Sequence, residues 1–384
     1  MIGICIKYFH ENYGGMLQAY ATTKIFENRD IPYELIRYEK KKSVTFAIKS
    51  IPRLFNQVLL NDKYEAFQKK MSLKKHSEFA KNDVIRMKAF ERFNKAHFTK
   101  LSQVYYGFHH LSDGAKKYTA VVTGSDQLWS PAGFPTNFYN LQFVPDEIRK
   151  ISYASSFGVK KIPFYQKKRT TDFLKRIEFI SMRENRGSEI VKELTGRDVP
   201  VLLDPVFMFD LQQWNKMIPV QELCDEPYIF AYFLGANAEH RKAVKELSKT
   251  TGCNIVALRH LDQFIPQDEN FGDYAPYDVG PAEFLNYLRR SQYVCTDSFH
   301  GSVFSIIYKK KFVTFNRYDE QSRHSKNSRI DTLCKNLGLE ERRFNGNVIE
   351  TMQHDIDYDA VKAKFLVLKA ESEAYLDKTF DGVC

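Results

Sequence analysis

The chain has 384 residues, and its 57 Lys and Arg outnumber its 47 Asp and Glu to give a net charge of +10. This length suits two domains of ordinary size, each able to bury a core of its own. Hydrophobic residues make up 43% and charged residues 27% of the chain, which indicates a soluble globular protein. No stretch approaches the roughly 18 apolar residues that a membrane-spanning helix needs.

The positive charge suits three kinds of anionic partner: nucleic acid, a membrane face or small molecules. No nucleic-acid-binding motif accompanies the charge, so nucleic acid is not an expected partner. The apolar start, Ile2–Ile6, is followed at once by Lys7 and by no cleavage site, which predicts a first strand rather than a signal peptide. Six scattered cysteines without a C-x-x-C pair predict reduced thiols, with neither a disulfide framework nor a zinc site. We therefore expect a cytoplasmic protein.

Apolar runs alternate with helical patterns through the first half of the chain, which predicts a parallel sheet covered by helices. A helix is predicted over Met16–Phe26. The predicted strands are Ile2–Ile6, Tyr33–Tyr38, Ala120–Thr123, Ile151–Ala154, Phe179–Met182 and Val199–Leu203.

Between Lys49 and Ser102 this alternation gives way to basic, helix-prone sequence. A basic amphipathic segment either lies on an anionic membrane surface or packs one face on its own domain. Its apolar positions, Ile51, Leu54, Phe55, Val58 and Leu59, stand near helical spacing beside Arg53, Lys63, Lys69 and Lys70.

A second α/β unit begins after Asp204-Pro205, which we interpret as a domain-boundary turn more than a catalytic carboxylate. Helices are predicted over Ala238–Thr250 and Pro281–Arg290, and an apolar stripe predicts a last helix within Tyr358–Thr379 that crosses back to the first domain. The predicted strands of this unit are Tyr228–Phe233, Asn254–Leu258, Tyr293–Thr296 and Phe312–Phe315. The predicted fold class is α/β, with two doubly wound Rossmann-like domains facing a cleft. The predicted parts are an N-terminal α/β domain at 1–205, a C-terminal α/β domain at 206–357 and a C-terminal helix at 358–384.

The sequence TDSFHGSVF, from Thr296 to Phe304, places His300 between a predicted strand and a helix, where open α/β folds bind ligands. Imidazole exchanges protons near neutral pH, so His300 is a candidate acid/base group. The alternative is a structural histidine whose hydrogen bonds are satisfied within the protein. Asp297 is close enough in sequence to orient His300 or the local backbone. The helix start supplies further candidate donors to a phosphate or carboxylate, namely Ser298, Gly301 and Ser302.

Arg183 ends the run FISMRE, where a strand gives way to a helix. A guanidinium pairs well with a carboxylate or phosphate of a ligand. The alternative for Arg183 is an ion pair with the neighbouring Glu184.

Two groups in the first half are candidates for binding a sugar acceptor. A glycine-containing turn lets backbone approach a ligand closely. The members of this turn and of the helix after it are Asn12, Tyr13, Gly14 and Gln18. The second group follows the strand Ala120–Thr123 and combines a carboxylate, an amide and an indole in Asp126, Gln127 and Trp129. For Asp126 the alternative is helix capping.

Six motifs in this order resemble the polysaccharide pyruvyl transferases: NYGGMLQAYA, VVTGSDQLWSP, SYASSFG, SMRENRG, VLLDPVFMF and TDSFHGSVF. The resemblance runs from about Ile2 to about Leu339 and is weakest between Lys40 and Tyr118. It implies a GT-B-like fold with the active site between its domains, and phosphoenolpyruvate as donor of a pyruvate ketal that bridges two sugar hydroxyls. It implies no metal and no cofactor besides the donor substrate.

The resemblance also implies that His300 and Arg183 are catalytic. Some members of the family have Arg-Leu-His where this chain has Ser298-Phe299-His300. The candidates for the missing guanidinium are Arg317, Arg323 and Arg329, and for Arg329 anion contact and a capping salt bridge stay open.

The acceptor implied by the resemblance is a sugar on a polyprenyl-diphosphate-linked oligosaccharide, in the synthesis of a bacterial exopolysaccharide or capsular polysaccharide. The protein would then be peripheral on the inner face of the plasma membrane. One alternative is a GT-B glycosyltransferase that uses a nucleotide sugar, with His300 as base and Glu283 as the candidate ribose ligand. Another is a carbohydrate- or membrane-binding protein with a decayed site, which the intact Arg183 and His300 argue against.

Overall fold

The computed structural model of the chain describes residues 1–9, 11–40, 57–131, 136–318 and 328–382. The predicted residues Ile51, Arg53, Leu54, Phe55 and Arg323 lie outside these ranges. The described strands form two separate sheets, and every strand pair in them is parallel. The predicted α/β fold class, with two parallel-sheet domains, is therefore confirmed.

The first sheet has the order β3-β2-β1-β4-β5-β6. Its strands are β1 (Ile2–Cys5), β2 (Tyr33–Glu39), β3 (Leu101–Tyr106), β4 (Ala120–Gly124), β5 (Arg149–Ser155) and β6 (Phe179–Met182). Strands β1 and β4 are buried at every position, because helices cover both faces of the sheet. The strand order reverses between β1 and β4, and crevices at such switch points bind ligands in doubly wound folds.

The helices that accompany this sheet are α1 (Tyr13–Glu27), α2 (Gln57–Lys75), α3 (Ser77–His97), α4 (Phe108–Ala115), α5 (Lys167–Arg176) and α6 (Asn185–Thr195). Helix α1 begins before the predicted Met16 because Asn12 caps it, with the side-chain oxygen accepting from the amide of Gly15 at 2.8 Å.

The second sheet has the order β10-β9-β7-β8. Its strands are β7 (Tyr228–Tyr232), β8 (Asn254–Ala257), β9 (Tyr293–Thr296) and β10 (Lys311–Thr314). The helices of the second half are α7 (Leu211–Met217), α8 (Ala238–Thr251), α9 (Pro281–Arg290), α10 (Phe299–Ile307), α11 (Ser328–Leu337), α12 (Val348–Gln353) and α13 (Tyr358–Phe380).

Two strand predictions differ from the structure. Strand β3 was not predicted, and it is an edge strand in which only Ser102 and Tyr105 are buried, so it forms no apolar run. The predicted strand Val199–Leu203 is reduced to a single bridge between Val201 and Met182. After it, Asp204 and Pro205 turn the chain into the short 3₁₀ helix Pro205–Met208.

The two domains share one hydrophobic core. Tyr13 of α1 stacks on Phe284 of α9, with ring centroids 4.9 Å apart, and its hydroxyl donates to the carbonyl of Val279 at 3.0 Å. Helix α13 connects the sheets again, because Tyr358 donates to Lys310 O and Tyr375 donates to Ser152 O. These contacts hold the ends of β1, β6 and β9 close to one another.

No helix in the described ranges is long and apolar enough to cross a membrane. The cysteines of the described part are free thiols: Cys5, Cys224, Cys253, Cys295 and Cys334.

Candidate active site

Arg183 and His300 come from different domains and meet at one carboxylate. Arg183 follows β6, and its Nη1 donates to Oδ2 of Asp204 at 2.7 Å. Nε2 of His300, in the first turn of α10, lies 3.5 Å from the same Oδ2, at the outer limit of a hydrogen bond. The hydroxyl of Ser125, just after β4, donates to this oxygen at 2.9 Å. Asp204 thus joins the ends of three strands in the cleft between the domains.

Asp204 is fully buried as a side chain, yet it stays ionised. Burial alone would raise the pKa of this carboxyl, but His300 and Arg183 oppose burial and lower its pKa well below the usual value. Its second oxygen, Oδ1, accepts from the amide of Val206 and so caps the 3₁₀ helix. Asp204 is therefore both the turn residue that the sequence indicates and a charged member of the site. The predicted turn is present, and the same residue also contacts both predicted catalytic residues, which the sequence did not indicate.

Gly14 brings His300 within reach of the first domain. A Cβ atom at residue 14 would overlap Nδ1, Cγ and Cβ of the imidazole, so only glycine allows α1 to lie this close. At Gly15, by contrast, an added Cβ would meet Oδ1 of Asn12 at 3.4 Å. The glycine of the predicted turn therefore accommodates a protein side chain.

Two guanidinium groups flank the ring of Phe299. Arg183 Cζ lies 4.8 Å and Arg329 Cζ 5.6 Å from the ring centroid, both within cation–π range. Nε and Nη2 of Arg183, Nε of Arg329 and Oε2 of Glu184 are buried without a hydrogen-bond partner in the described ranges. Buried polar atoms in native proteins are usually paired, so these atoms indicate a place for a ligand or water.

The charges of this cluster shift one another's pKa. Burial and then repulsion by Arg183 lower the pKa of Arg329 from 12.5 to about 10. Burial raises the pKa of Glu184, against the opposing effect of both arginines. Asp126 lies 3.7 Å from Arg183, and the neighbouring cations, Arg183 first, overcome burial to bring its pKa to about 2. The cluster therefore holds two guanidinium groups whose charge is partly offset by these carboxylates, and their donors without partners in the described ranges are what a bound anion would use.

These contacts bear on the alternatives left open for three residues. Arg183 pairs with Asp204, with Asp126 at 3.7 Å, and not with Glu184. Arg329 has no ion-pair partner in the part of the chain that the structure describes, so the capping salt bridge is absent there. Asp126 caps no helix, because residues 125–131 form turns.

The other predicted donor residues serve the start of α10 or lie elsewhere. Ser298 is its N-cap, with Oγ accepting from the amide of Gly301 at 3.3 Å, and Ser302 Oγ donates to the carbonyl of Ser298. Gly301 packs on Thr296, where a Cβ would lie 2.6 Å from Oγ1. Arg317 follows β10 and stacks on Tyr318. Its charge acts on Asp297, so it lies beside that carboxylate.

Asp297 orients backbone and not His300. Its carboxylate accepts from the amides of Leu234 and Gly235, at 2.6 and 2.8 Å. Since these amides follow β7, Asp297 fixes the loop at the carboxyl end of the second sheet.

Three predicted acceptor residues are corrected by their burial. Trp129 is 3% exposed, packs on Phe157 and Phe173, and donates its indole N–H to the carbonyl of Tyr139. Gln18 is 1% exposed and donates to Thr22 within α1. Tyr13 belongs to the packed interface between the domains. These side chains face the core because the helix and turn that carry them pack on it, and they offer no surface to a sugar.

The remaining acceptor candidates stay near the cleft. Asn12 is exposed at the N-cap of α1, and Asp126 is 27% exposed beside Arg183. Asp126 has a positive φ of 61°, an uncommon conformation for a residue other than glycine. The Nε2 of Gln127 is buried without a partner in the described ranges and lies over Gly158.

Sequence reasoning missed Asp204, Ser125 and Phe299 as members of the site. Asp204 and Ser125 each follow an apolar run directly, so the general position of ligands at strand ends was the available signal. No cluster of three or more His, Cys, Asp or Glu residues suited to a metal occurs in the described ranges.

Fold and site together define a two-domain α/β protein with a buried, densely charged centre between its domains. A family model described as polysaccharide pyruvyl transferase matches residues 12–319, most of the chain. The chain belongs to the polysaccharide pyruvyl transferase family and is accordingly a transferase. A search of curated proteins finds no match.

Solved structures with a similar arrangement have other activities. The UDP-GlcNAc 2-epimerase from Neisseria meningitidis, bound to UDP-GlcNAc, is 10% identical, with a TM-score of 0.44, and the alignment covers 99% of this chain and 94% of that one. MnaA from S. aureus with UDP is 11% identical over 98% and 91% of the two chains, with a TM-score of 0.46. ADP-heptose LPS heptosyltransferase II from E. coli is 9% identical over 97% and 99%, with a TM-score of 0.36. At these TM-scores the likenesses carry no argument about activity.

Proposed function

We propose that the chain transfers the enolpyruvyl unit of phosphoenolpyruvate onto two hydroxyls of a sugar, forming a pyruvate ketal and releasing phosphate. The observation that carries this proposal is the convergence of His300 and Arg183 on Asp204, beside guanidinium nitrogens that lack partners. A donor with both a carboxylate and a phosphate supplies acceptors for such nitrogens.

The proposed reaction has two halves. In the first, C3 of the enol gains a proton while the oxygen of one sugar hydroxyl bonds to C2 and gives up its own proton. In the second, the bond from C2 to the phosphate oxygen breaks, phosphate leaves with the electron pair, and the second hydroxyl bonds to C2. Of the two hydroxyl protons, one is accounted for by the new C–H bond at C3 and the other leaves with the phosphate.

His300 is the proposed acid/base group of these steps. Its Nε2 has no hydrogen-bond partner in the described residues other than the distant Asp204 oxygen. Its Nε2 faces the buried carboxylate of Asp204, which is placed to orient the imidazole. Asp204 is proposed as the positioning residue for both His300 and Arg183.

Arg329 is the proposed replacement for the arginine that some family members have where this chain has Ser298. It lies over the same Phe299 ring as Arg183, so the two guanidiniums share one region. Repulsion by Arg183 contributes to its lowered pKa, and a bound dianion would relieve that repulsion. Ser298 itself is occupied as a helix cap. Arg317 is retained as a more distant donor candidate beside Asp297.

The proposed acceptor is a sugar on a polyprenyl-diphosphate-linked oligosaccharide, in the synthesis of a bacterial exopolysaccharide or capsular polysaccharide. Family membership and the net charge of +10 support it, because an excess of cations favours an anionic membrane face. We propose Asn12, Asp126 and Gln127 for the acceptor side. On this proposal the protein works in the cytoplasm, peripheral to the membrane.

A nucleotide-sugar glycosyltransferase is the weaker candidate. Its one candidate ribose ligand, Glu283, accepts from the amide of Gly280 at 2.8 Å at the start of α9. A carboxylate used to cap a helix is poorly available to a ribose.

Thermal unfolding with separate ligands tests the proposal. A ligand that binds the folded state at about 100 times its Kd adds about 2.7 kcal/mol, which raises the midpoint by several degrees. We expect this rise with phosphoenolpyruvate and not with UDP, GDP or CMP. A rise with a nucleotide alone would contradict pyruvyl transfer and support the glycosyltransferase.

A further inference from the structure

The antiparallel hairpin formed by α2 and α3 is fixed between the two domains. Lys69 of α2 pairs with Asp83 of α3 at 2.9 Å. Arg86 of α3 donates to the carbonyls of Tyr277 and Pro276, at 2.8 and 3.0 Å. At the turn of the hairpin, His76 stacks on Phe264 with ring centroids 3.7 Å apart. The hairpin thus has a set orientation, with one side on the protein and the other facing outward.

The outward side of the hairpin carries large apolar side chains. Leu60, Tyr64 and Phe67 stand at i, i+4 and i+7, on one face of α2, and Tyr64 and Phe67 are 63% and 57% exposed. Lys69 lies opposite Asp83 in the antiparallel hairpin. Tyr64 and Phe67 therefore stand at about the same height along the hairpin as residues 84–88 of α3, which include the exposed Val84 and Met87. Clustered exposed apolar side chains of this size mark interaction surfaces.

Basic side chains surround the apolar ones. The exposed carboxylates of the two helices in the described ranges are Glu65, Glu78 and Glu91. The exposed cations are Lys63, Lys70, Lys74, Lys75, Lys81, Lys88, Arg92 and Lys95. Lys81, Arg92 and Lys95 have ion-pair partners, while the other five have none among the described residues. The surface is therefore both apolar and positively charged.

A groove adjoins this surface. It has a volume of about 450 Å³ and runs between the loop after β1 and α3, with Met16, Val84, Met87 and Phe90 in its walls. Met87 and Phe90 also line a small cavity of about 20 Å³ that reaches Asn12. Asn12 is two residues from Gly14, which contacts His300. The apolar surface thus lies on the side of α1 whose first turn contacts the proposed catalytic histidine.

We propose that the outward face of the α2–α3 hairpin docks on the surface of an anionic bilayer. Aromatic and aliphatic side chains among unpaired lysines match the interface of such a bilayer, where they enter the acyl boundary and the lysines meet lipid phosphates. A second copy of the chain is disfavoured as the occupant, because an isologous contact would bring like charges together. This docking surface rests on the proposed function, because the lipid-linked acceptor of that reaction would be held in the bilayer on which the hairpin docks.

Co-sedimentation of the full chain with vesicles tests the surface directly. One vesicle is pure phosphatidylcholine, and the other contains about one third phosphatidylglycerol as the anionic lipid. We expect binding to the anionic vesicle that weakens with salt, and a loss of roughly tenfold or more in the double variant Tyr64→Ser/Phe67→Ser. The matched control is Phe164→Ser, which removes an aromatic side chain that is 85% exposed elsewhere in the first domain.

A charge variant gives a second readout. Lys63→Glu/Lys70→Glu is expected to reduce binding to the anionic vesicle, while Lys242→Glu, at an exposed position of α8, leaves it unchanged. Absence of vesicle binding, or equal losses in the hairpin and control variants, would overturn the proposal. The proposal would also be overturned if light scattering showed a dimer of the unmodified chain and monomers of the hairpin variants, because a second copy of the chain would then occupy this surface.

The phosphoenolpyruvate-dependent shift in the unfolding midpoint, measured on the same variants, separates this proposal from the proposed function. A shift without vesicle binding contradicts the docking surface alone. Vesicle binding without a shift contradicts the donor and leaves the surface standing.

Discussion

Two buried Arg–Asp pairs, one at the cleft and one inside the second domain, have nearly the same geometry. Arg183 lies 2.7 Å from Asp204, and Arg241 lies 2.7 Å from Asp268. All four side chains are at least nine-tenths buried. Each guanidinium also lies over a phenylalanine ring. By distance and burial alone the two pairs would be assigned the same role.

Their remaining hydrogen bonds distinguish them. Nη1 of Arg241 donates to the carbonyls of Gly235 and Asn237, so this arginine ties together the loop before α8. Nε and Nη2 of Arg183 have no partner in the described ranges. A buried donor without a partner is costly, and the proposed ligand would supply acceptors for these two atoms. The unsatisfied donors thus distinguish these two pairs, which the ion pair itself does not.

Each pair also has a buried histidine nearby. His240 precedes Arg241 and packs on Phe315, with ring centroids 4.7 Å apart, and burial followed by repulsion from Arg241 lowers its pKa to about 4. His300 instead faces the carboxylate of Asp204. One histidine is kept neutral by an apolar environment, and the other has a negative charge beside it.

The largest expected effect is the loss of transfer activity on replacing His300, which replacement of His240 should not cause. His300→Ala should reduce transfer roughly 10³-fold, since general acid–base catalysis contributes about 10²–10⁴-fold. Phosphate release from phosphoenolpyruvate in the presence of acceptor measures this. His240→Ala, the matched control, should reduce stability and leave the rate per folded molecule unchanged. Full activity in His300→Ala would exclude the acid/base role.

The arginines are compared by substitution with lysine, which keeps the charge and loses the planar set of donors. Arg183→Lys should weaken phosphoenolpyruvate binding by roughly 10–100-fold, the worth of one or two charge-assisted hydrogen bonds. Arg241→Lys should lower the unfolding midpoint and retain the ligand-dependent shift. Calorimetric titration of both variants gives the two dissociation constants. Equal weakening in both would show that the pairs do not differ in the way proposed.

The smallest expected effect is the pH dependence of stability. The pKa of His240 is about 4 in the folded protein and 6.5 in its ordinary state, so between these values the unfolded chain binds the proton. The contribution of this residue to stability is therefore full above pH 6.5 and is lost progressively as the pH drops toward 4. Urea unfolding at several pH values measures the slope. His260, whose pKa is also lowered to about 4, adds in the same direction, so His240→Gln should flatten the slope only in part.

The strands that form one apolar run were predictable, and the edge strand was not. Strands β4 and β7 are buried throughout and coincide closely with the predicted segments. Strand β3 buries only two of its six residues and comes directly after a basic helical region, so no apolar run marks it. Val199–Leu203 has the composition of a strand but makes one bridge, because Asp204 and Pro205 divert the chain at once.

Among the site residues, those predicted from strand ends lie in the cleft, and some predicted from residue type do not. Arg183 and His300 follow strands directly, so the fold class alone indicates where they lie. Trp129 was selected because an indole suits sugar binding, but the same apolar ring suits a core, and burial decided between them. Gln18 shows the same ambiguity for an amide within a buried helix.

The sequence by itself determined the two parallel sheets, the family and the strand ends that carry Arg183 and His300, because apolar periodicity and local motifs are properties of neighbouring residues. The tertiary structure alone decided which of these residues meet. Asp204 receives Arg183 from its own domain and His300 from the other, and Gly14 makes room for the imidazole across the domain interface. These contacts join residues far apart in the chain, and their energies depend on burial and mutual distance, neither of which a local pattern contains.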